Sequence, residues 1–229
     1  MLETTTNLKT MLSDPTLLET RAFVGGEWIG GDKGTFDVTN PARGDVIAKV
    51  ADLSREQVSV AIAKAEVAQK EWAKWSAKER SAVMRTWFNL MIKNQDDLGI
   101  ILTAEMGKPL AEAKGEIAYG ASFIEFFAEE AKRIYGETIP GHQRDKRITV
   151  LKQPIGVAAS ITPWNFPNAM ITRKAAPALA SGCAFIARPA ELTPLSATAI
   201  AVLAERAGFP AGVFQVLTTS DAPSTGKEF

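Results

Sequence analysis

The feature that most constrains the fold is a nearly uncharged C-terminal third. Residues 151–229 carry only 10 of the 52 Asp, Glu, Lys and Arg side chains in this chain of 229 residues. Within it, residues 153–172 are an uncharged run of 20, long enough to cross a membrane as a helix. Three prolines and two asparagines interrupt the run, and proline breaks a helix interior. The run therefore predicts a buried strand, a loop and the start of a helix.

Strand and helix signals alternate through this third of the chain. Short apolar runs are separated by stretches that begin at proline and end at glycine, which is the usual asymmetry of helix ends. They predict, in order, a strand at 155–161, a helix from Pro167 to Ser181, a strand at 184–187, a helix capped by Thr193 with Pro194 first and Gly208 last, and a strand at 213–217. This βαβαβ order predicts an α/β fold, the half-unit of a Rossmann-like, doubly wound parallel sheet.

The first half of the chain predicts short strands and then helices. The β-rich runs 23–29 and 35–38 lie around glycines, as is typical of edge strands. Capping boxes at Ser54 and Ser76 each start an amphipathic helix. A third helix ends at Gly107, and a fourth runs from about Pro109 to Tyr135.

Composition excludes several classes of protein. With 26 basic and 26 acidic side chains the formal net charge is zero, which argues against a nucleic-acid or anionic-membrane partner. One Cys and one His provide neither a disulfide nor the ligands of a usual zinc site, so we expect no metal. The N-terminus lacks a cationic start followed by an apolar run, and a lone thiol suits the reducing cytoplasm, where we expect the protein.

Four polar residues in the first 150 residues are expected to have only a structural role. Without imidazole or a second carboxylate cluster, we expect Glu105, Glu112 and Glu116 to be solvated or paired locally on their helices. His142 lies in a polar turn between predicted strands, where we expect a surface position.

Two loops are the candidate binding site. In parallel sheets ligands bind beyond the carboxyl ends of the strands, which selects residues 162–167 and 188–194. The first loop presents the amide of Asn165 beside a helix N-terminus, an arrangement suited to a developing oxyanion. The second presents Arg188 and Glu191, which can grip a ribose and a phosphate. No G-x-G-x-x-G follows the first strand, so the pattern alone predicts only a nucleotide-sized site.

Several motifs in the same order resemble the NAD(P)-dependent aldehyde dehydrogenases. The resemblance covers almost the whole chain from about residue 20, and the Met-Ile-Thr-Arg-Lys segment after Pro167 looks most like the succinate-semialdehyde dehydrogenases. The matching segments are 161–167, 170–174, 177–180, 182–183, 189–196, 105–109, 112–116 and 210–214.

The resemblance implies a chemistry and assigns residues to it. In the family a cysteine thiolate attacks the aldehyde, hydride passes to the nicotinamide, and a glutamate activates the water that hydrolyses the thioester. Asn165 matches the family's oxyanion donor. The expected cofactor-binding residues are Ile161, Thr162, Pro163, Trp164, Arg188, Pro189, Ala190 and Glu191.

The cofactor and the substrate are left partly open. A carboxylate at Glu191 accepts from both ribose hydroxyls and favours NAD, whereas the cation at Arg188 favours NADP. Arg173 matches an arginine that holds the substrate carboxylate in semialdehyde-specific enzymes, and a plain helix-surface arginine is an equal alternative. The expected reaction is the oxidation of succinate semialdehyde to succinate.

The expected domain organisation follows the family. Residues 1–19 would be an N-terminal extension, 20–135 with 154–229 an incomplete cofactor-binding domain, and 136–153 an oligomerisation hairpin. The full-length family is expected to form homo-oligomers.

Family members are about twice as long as this chain, and their catalytic glutamate and cysteine have no counterpart before Phe229. Cys183 lies among small and apolar residues at a helix-to-strand junction, so we expect a core residue. The stretch 218–226 departs from the glycine-rich family pattern, and an uncovered strand edge is expected.

Three hypotheses remain. The chain is the cofactor-binding part of an aldehyde dehydrogenase and does not turn over substrate alone; it is a non-catalytic fragment acting as a nucleotide-binding or oligomer-partner module; or it is a thiol-independent reductase, for which no residue gives positive support.

Overall fold

A five-stranded sheet organises the protein, whose computed structural model describes residues 8–229. Strands β7 (Val157–Ile161), β8 (Ala184–Arg188) and β9 (Phe214–Val216) are parallel neighbours, which confirms the predicted βαβαβ half-unit. Strands β1 (Ala22–Val24) and β2 (Glu27–Ile29) extend the sheet antiparallel beyond β9, giving the order β2-β1-β9-β8-β7. The fold is α/β with a mixed sheet.

The edge-strand prediction is wrong for β1. All three of its residues are buried, because β1 lies between β2 and β9, with Phe23 opposite Val216. A pairing between residues so far apart in sequence leaves no local signal. Strands β3 (Thr35–Thr39) and β4 (Val46–Ala51) form a separate antiparallel pair, and the sequence pattern did not predict β4.

The predicted helix signals mark most helix ends correctly. Capping boxes at Ser54 and Ser76 start α1 (Arg55–Trp72) and α2 (Ala77–Lys93). Glycines in the left-handed backbone conformation end three further helices, at Gly107, Gly182 and Gly208. These helices are α3 (Gln95–Met106), α5 (Ala169–Ser181) and α6 (Leu195–Ala207), while α4 spans Leu110–Glu130 and α7 spans Ala222–Thr225.

Three predicted boundaries are wrong. Helix α4 ends at Glu130 and tightens into a 3₁₀ turn, Ala131–Arg133, instead of reaching Tyr135. Pro167 is not the first residue of α5, which begins at Ala169. Thr193 does not cap α6, because Pro194 holds the cap position there. The first N–H groups of α5 and α6 bond instead to carboxylates from other helices, described below.

Helices cover both faces of the sheet. Helix α1 packs on one face, where the small apolar residues of β1 and β8 meet Val58, Ala61 and Ala65. Helices α2, α5 and α6 pack on the other face around large aromatic side chains. Trp87 donates from its indole nitrogen to the carbonyl of Ile200 (3.1 Å). Cys183 is buried, which confirms the expected core position.

Two peripheral segments complete the structure. Strands β5 (Glu137–Pro140) and β6 (Arg147–Val150) form a two-stranded antiparallel ribbon whose turn carries the exposed His142, as predicted.

Within the predicted N-terminal extension, residues 1–7 lie outside the described residues. Residues 8–18 contribute four leucines to the core, and Asp97 accepts hydrogen bonds from the backbone N–H groups of Ser13 (2.9 Å) and Asp14 (2.7 Å). In residues 8–229, no helix combines the length and the apolar character that a bilayer span needs.

We expect Ser76→Ala to lower the free energy of unfolding by about 1 kcal/mol, because its hydroxyl accepts from the backbone N–H of Glu79 and caps α2. Urea unfolding followed by circular dichroism measures this loss. Thr86→Ala, in the exposed middle of the same helix, is the matched control and should be neutral or slightly stabilising. Equal effects of the two substitutions would contradict the capping role.

Candidate functional site

The two candidate loops lie side by side at the carboxyl edge of the sheet. The first follows β7 and the second follows β8, and these strands are parallel neighbours. The backbone N–H of Thr162 donates to the carbonyl of Arg188 (3.1 Å), so the loops diverge from one shared point. The structure thus brings together the two segments that the sequence selected.

The first loop is exposed. Ile161 and Trp164 are each about half accessible, and Asn165, which lies between Trp164 and Phe166 in the chain, is exposed as well. Pro163 is exposed as well, whereas Thr162 is buried. This loop offers an aromatic and apolar surface with an accessible amide. The Trp164 ring can stack on a flat ring of a ligand, and the Asn165 amide can donate to an oxygen.

Helix N–H groups beside Asn165 are not available to a ligand, which corrects the sequence expectation. Glu116 Oε1 accepts hydrogen bonds from the backbone N–H groups of Asn168 (3.0 Å) and Ala169 (3.2 Å) at the start of α5. The positive end of a helix attracts an anion, and here an internal carboxylate already occupies it. The amide of Asn165 is therefore an accessible donor of this loop where the helix N–H groups are not.

Helix α6 is held in the same way. Glu105 Oε2 accepts from the N–H of Leu195 (2.7 Å), and Oε1 accepts from the N–H of Ser196 (2.8 Å). One helical hairpin, α3 with α4, thus supplies a buried carboxylate to each of the two helices that follow the candidate loops.

The expectation that Glu105 and Glu116 are solvated or paired locally on their helices is wrong for Glu105, whereas Glu116 is buried and pairs with Lys108, eight residues earlier. Glu105 and Glu116 are only 3% and 4% exposed, because both lie on the apolar stripes of their helices. Glu105 follows Ile101 and Leu102 by one helical turn, and Glu116 follows Ala113 by three residues, so their helical position was the signal that the sequence carried. Glu112, between them, is exposed as expected.

Burial raises the pKa of the Glu105 carboxyl to about 8, against the opposing effect of its hydrogen bonds to Ser196 and Leu195. In residues 8–229 no cation forms an ion pair with Glu105, whereas Glu116 pairs with Lys108 (2.5 Å). The Glu105 carboxyl, which accepts the first N–H groups of α6, therefore gains or loses its proton near neutral pH.

In the second loop the predicted cation and anion bind each other. Arg188 Nη2 donates to Glu191 Oε2 (3.1 Å) and to the carbonyl of Thr219 (3.3 Å). The Arg188 side chain is 6% exposed and that of Glu191 is 44% exposed, so the carboxylate is the accessible partner. Pro189 and Ala190, which separate them, are buried.

Four buried polar atoms at this edge have no hydrogen-bond partner within the described residues. They come from the ends of β7 and β8 and from the loops that follow: Ser160 Oγ, Thr162 Oγ1, Arg188 Nε and Thr193 Oγ1. Buried polar atoms are normally hydrogen-bonded, so this edge has the unmet capacity that a polar ligand or ordered water would satisfy. The accessible groups, the Trp164 ring and the Glu191 carboxylate, fit a nucleotide, whose base and ribose hydroxyls they can contact.

Arg173 lies on the exposed side of α5. Its guanidinium carbon is 5.4 Å from the ring centroid of Phe123, and none of the ion pairs in residues 8–229 involves it. The structure leaves both sequence interpretations standing, because a surface arginine and a free cation for a carboxylate look alike without a ligand.

Comparison with known proteins identifies the family. The model of the aldehyde dehydrogenase family matches residues 28–229, and the chain belongs to this family. It is 60% identical over 210 residues to the glutarate-semialdehyde dehydrogenase of Pseudomonas putida, covering 91% of this chain and 44% of the relative. It is 57% identical over 218 residues to the succinate-semialdehyde dehydrogenase [NADP(+)] of Escherichia coli K12, covering 95% and 45%.

Solved structures agree. The aldehyde dehydrogenase of Brucella melitensis biovar abortus 2308 superposes with a TM-score of 0.93 at 57% identity, over 95% of this chain and 45% of that one. The betaine aldehyde dehydrogenase of Staphylococcus aureus, solved in complex with NAD+, gives 0.91 at 30% identity, over 98% and 44%. The chain spans a little under half the length of the relatives it matches.

Glu105→Gln should flatten the pH dependence of stability. A carboxyl whose pKa rises from 4.5 to about 8 on folding binds its proton more tightly in the folded state. Its contribution is fully present below pH 4.5 and is lost as the pH rises towards 8, at no more than about 1.4 kcal/mol per pH unit. Urea unfolding at several pH values between 5 and 8 measures the slope.

Glu112→Gln, at an exposed position near the start of α4, is the control and should keep the wild-type slope. Equal slopes for wild type and Glu105→Gln would contradict the raised pKa.

Proposed function

We propose that this chain provides the NAD(P)-binding part of a dehydrogenase that oxidises succinate semialdehyde to succinate. The observation that carries the proposal is the meeting, at one sheet edge, of the exposed Asn165 amide with the Arg188–Glu191 pair. The family membership supports the reaction class.

The names of the relatives support an aldehyde with an anionic far end. Four relatives at 56–60% identity are named for glutarate semialdehyde, succinate semialdehyde or 3-sulfolactaldehyde, and each of these carries a carboxylate or a sulfonate. Such a substrate needs a cation at some distance from the reacting carbon. We assign this role to Arg173, whose guanidinium pairs with no carboxylate in the described part of the chain.

Each loop has a distinct role in the proposed site. Ile161, Thr162, Pro163 and Trp164 line the dinucleotide, and Pro189 and Ala190 hold the second loop while Arg188 and Glu191 contact the adenosine ribose. When bound, NAD(P) accepts the hydride that leaves the substrate carbon. Asn165 donates its side-chain N–H to the oxygen that becomes negative, which lowers the energy of the charged state.

The cysteine of the chain is not assigned to catalysis. Cys183 is its only thiol, and it is 3% exposed with Ser181 Oγ 3.6 Å from its sulfur. A nucleophile must reach the substrate carbon, and this thiol does not reach the surface. The buried thiol is consistent with the proposed function and also with a second candidate, a nucleotide-binding or oligomer-partner module without turnover. Both candidates predict that the purified chain forms no reduced cofactor from succinate semialdehyde, and its formation would contradict both.

We assign the β5–β6 ribbon to contacts between copies of the chain. Ile139 and Ile148 are cross-strand partners, and both are more than a third exposed on a ribbon whose strands pair with no other strand in residues 8–229. A homo-oligomer would cover them. A cytoplasmic location fits the lone buried thiol and the neutral charge balance.

We expect calorimetric titration to detect binding of NAD+, NADP+ or both, and Glu191→Gln to change the preference. Removing this partly exposed charge relieves repulsion of the 2′-phosphate and loses acceptors for the ribose hydroxyls. The affinity ratio should shift towards NADP+ about fivefold, since such a charge contributes about 1 kcal/mol.

Glu71→Gln breaks another ion pair of the same (i,i+3) spacing, Lys74 with Glu71, away from the two loops, and should leave the ratio unchanged. Absence of heat with both cofactors would contradict the proposed function, and an unchanged ratio in Glu191→Gln would contradict the role of Glu191 alone.

A further inference from the structure

Lys108 lies in the turn between α3 and α4 and reaches the first candidate loop. Its side chain is only 10% exposed, an unusual position for a lysine outside any assigned role. The ammonium group makes three contacts: with Glu116 Oε2 (2.5 Å), with the backbone carbonyl of Asn165 (3.2 Å) and with the ring of Phe166, whose centroid is 3.9 Å away.

These contacts fix the part of the loop that presents the amide. The carbonyl of Asn165 belongs to the peptide unit that joins Asn165 to Phe166, so a bond to this oxygen holds the plane of that unit. The Lys108 ammonium also lies over the ring of Phe166, the second residue of this peptide unit, and this cation–π contact holds that residue. Within residues 8–229, the only side-chain hydrogen bond to residues 163–166 comes from Lys108.

Glu116 links these Lys108 contacts to α5, the helix that follows the loop. Its Oε2 receives the Lys108 ammonium, while its Oε1 receives the N–H groups of Asn168 and Ala169. One buried carboxylate thus fixes both ends of the segment that carries Asn165: the lysine bound to its carbonyl, and the first turn of α5. A charge-assisted bond between groups this buried has a defined geometry.

We propose that Lys108 and Glu116 form a positioning pair that sets the orientation of Asn165. The role of Asn165 rests on the proposed function, but the positioning itself does not. Lys108 does not touch the reacting atoms; it acts through the backbone of the loop. Loss of the pair would leave the loop attached to the sheet while the amide lost its fixed direction, which lowers catalysis more than cofactor binding.

Fluorine NMR of the chain labelled with 5-fluorotryptophan tests the pair without any cofactor. Trp164 precedes Asn165, and Trp164→Phe identifies its resonance among those of the five tryptophans. Lys108→Met alone leaves Glu116 buried without its cation, which destabilises the fold. The informative variant is therefore Lys108→Met with Glu116→Gln, because glutamine keeps an oxygen for the N–H groups of α5 and no unpaired charge remains.

In the double variant we expect the Trp164 resonance to move by more than its linewidth or to broaden, while the resonances of the buried Trp72 and Trp87 stay in place. Lys108→Arg, which retains the cation, should restore most of the wild-type shift. The matched control is Lys114→Met with Asp96→Asn, which removes an exposed ion pair from the same two helices and should leave all five resonances unchanged.

An unchanged Trp164 resonance in the folded double variant would overturn the proposal. Displacement of Trp72 and Trp87 together with Trp164 would overturn it as well, since the effect would then be global. Calorimetry with NAD+ and NADP+ reports on the proposed function separately, so failure of either statement leaves the other intact.

Discussion

The arrangement of the site depends on two buried carboxylates that accept helix N–H groups. Glu116 and Glu105 come from one helical hairpin and bind the starts of α5 and α6 respectively. Burying a carboxylate is costly, and two N–H bonds with the positive end of a helix offset part of that cost. Because each helix start follows a candidate loop directly, the hairpin fixes where both loops end.

The two anchors differ in their counter-charge. Lys108 pairs with Glu116, so the segment that carries Asn165 is held by a charge-assisted contact. Glu105 has no paired cation in the described residues, and burial raises the pKa of its carboxyl to about 8. The first loop is therefore held by the Lys108–Glu116 ion pair. The second loop ends at the start of α6, which is bound by the Glu105 carboxyl, a group that exchanges its proton near neutral pH.

Local signals in the sequence located most of the elements, and long-range contacts account for the errors. The capping serines, Ser54 and Ser76, and the terminal glycines of α3, α5 and α6 act within one or two turns, so they can be read without the fold. The place of β1 beside β9 depends on a contact between Phe23 and Val216. The first residues of α5 and α6 depend on acceptors from another part of the chain. The burial of Glu105 and Glu116 could be read from their places on apolar helix faces, whereas the helix N–H groups that they accept lie 52 to 91 residues further along the chain.

The Arg188–Glu191 pair combines a fixed cation with an accessible anion. Arg188 is buried and also bound to the carbonyl of Thr219, so its guanidinium stays in place if Glu191 turns away. In the proposed function a ribose hydroxyl replaces the Glu191 contact and keeps the buried guanidinium hydrogen-bonded. The proposed site thus contains a preorganised donor and a carboxylate that exchanges an internal partner for a ligand. In the proposed function, preference between the two dinucleotides depends on Glu191, the one charged group of the pair that a 2′-phosphate would approach from solvent.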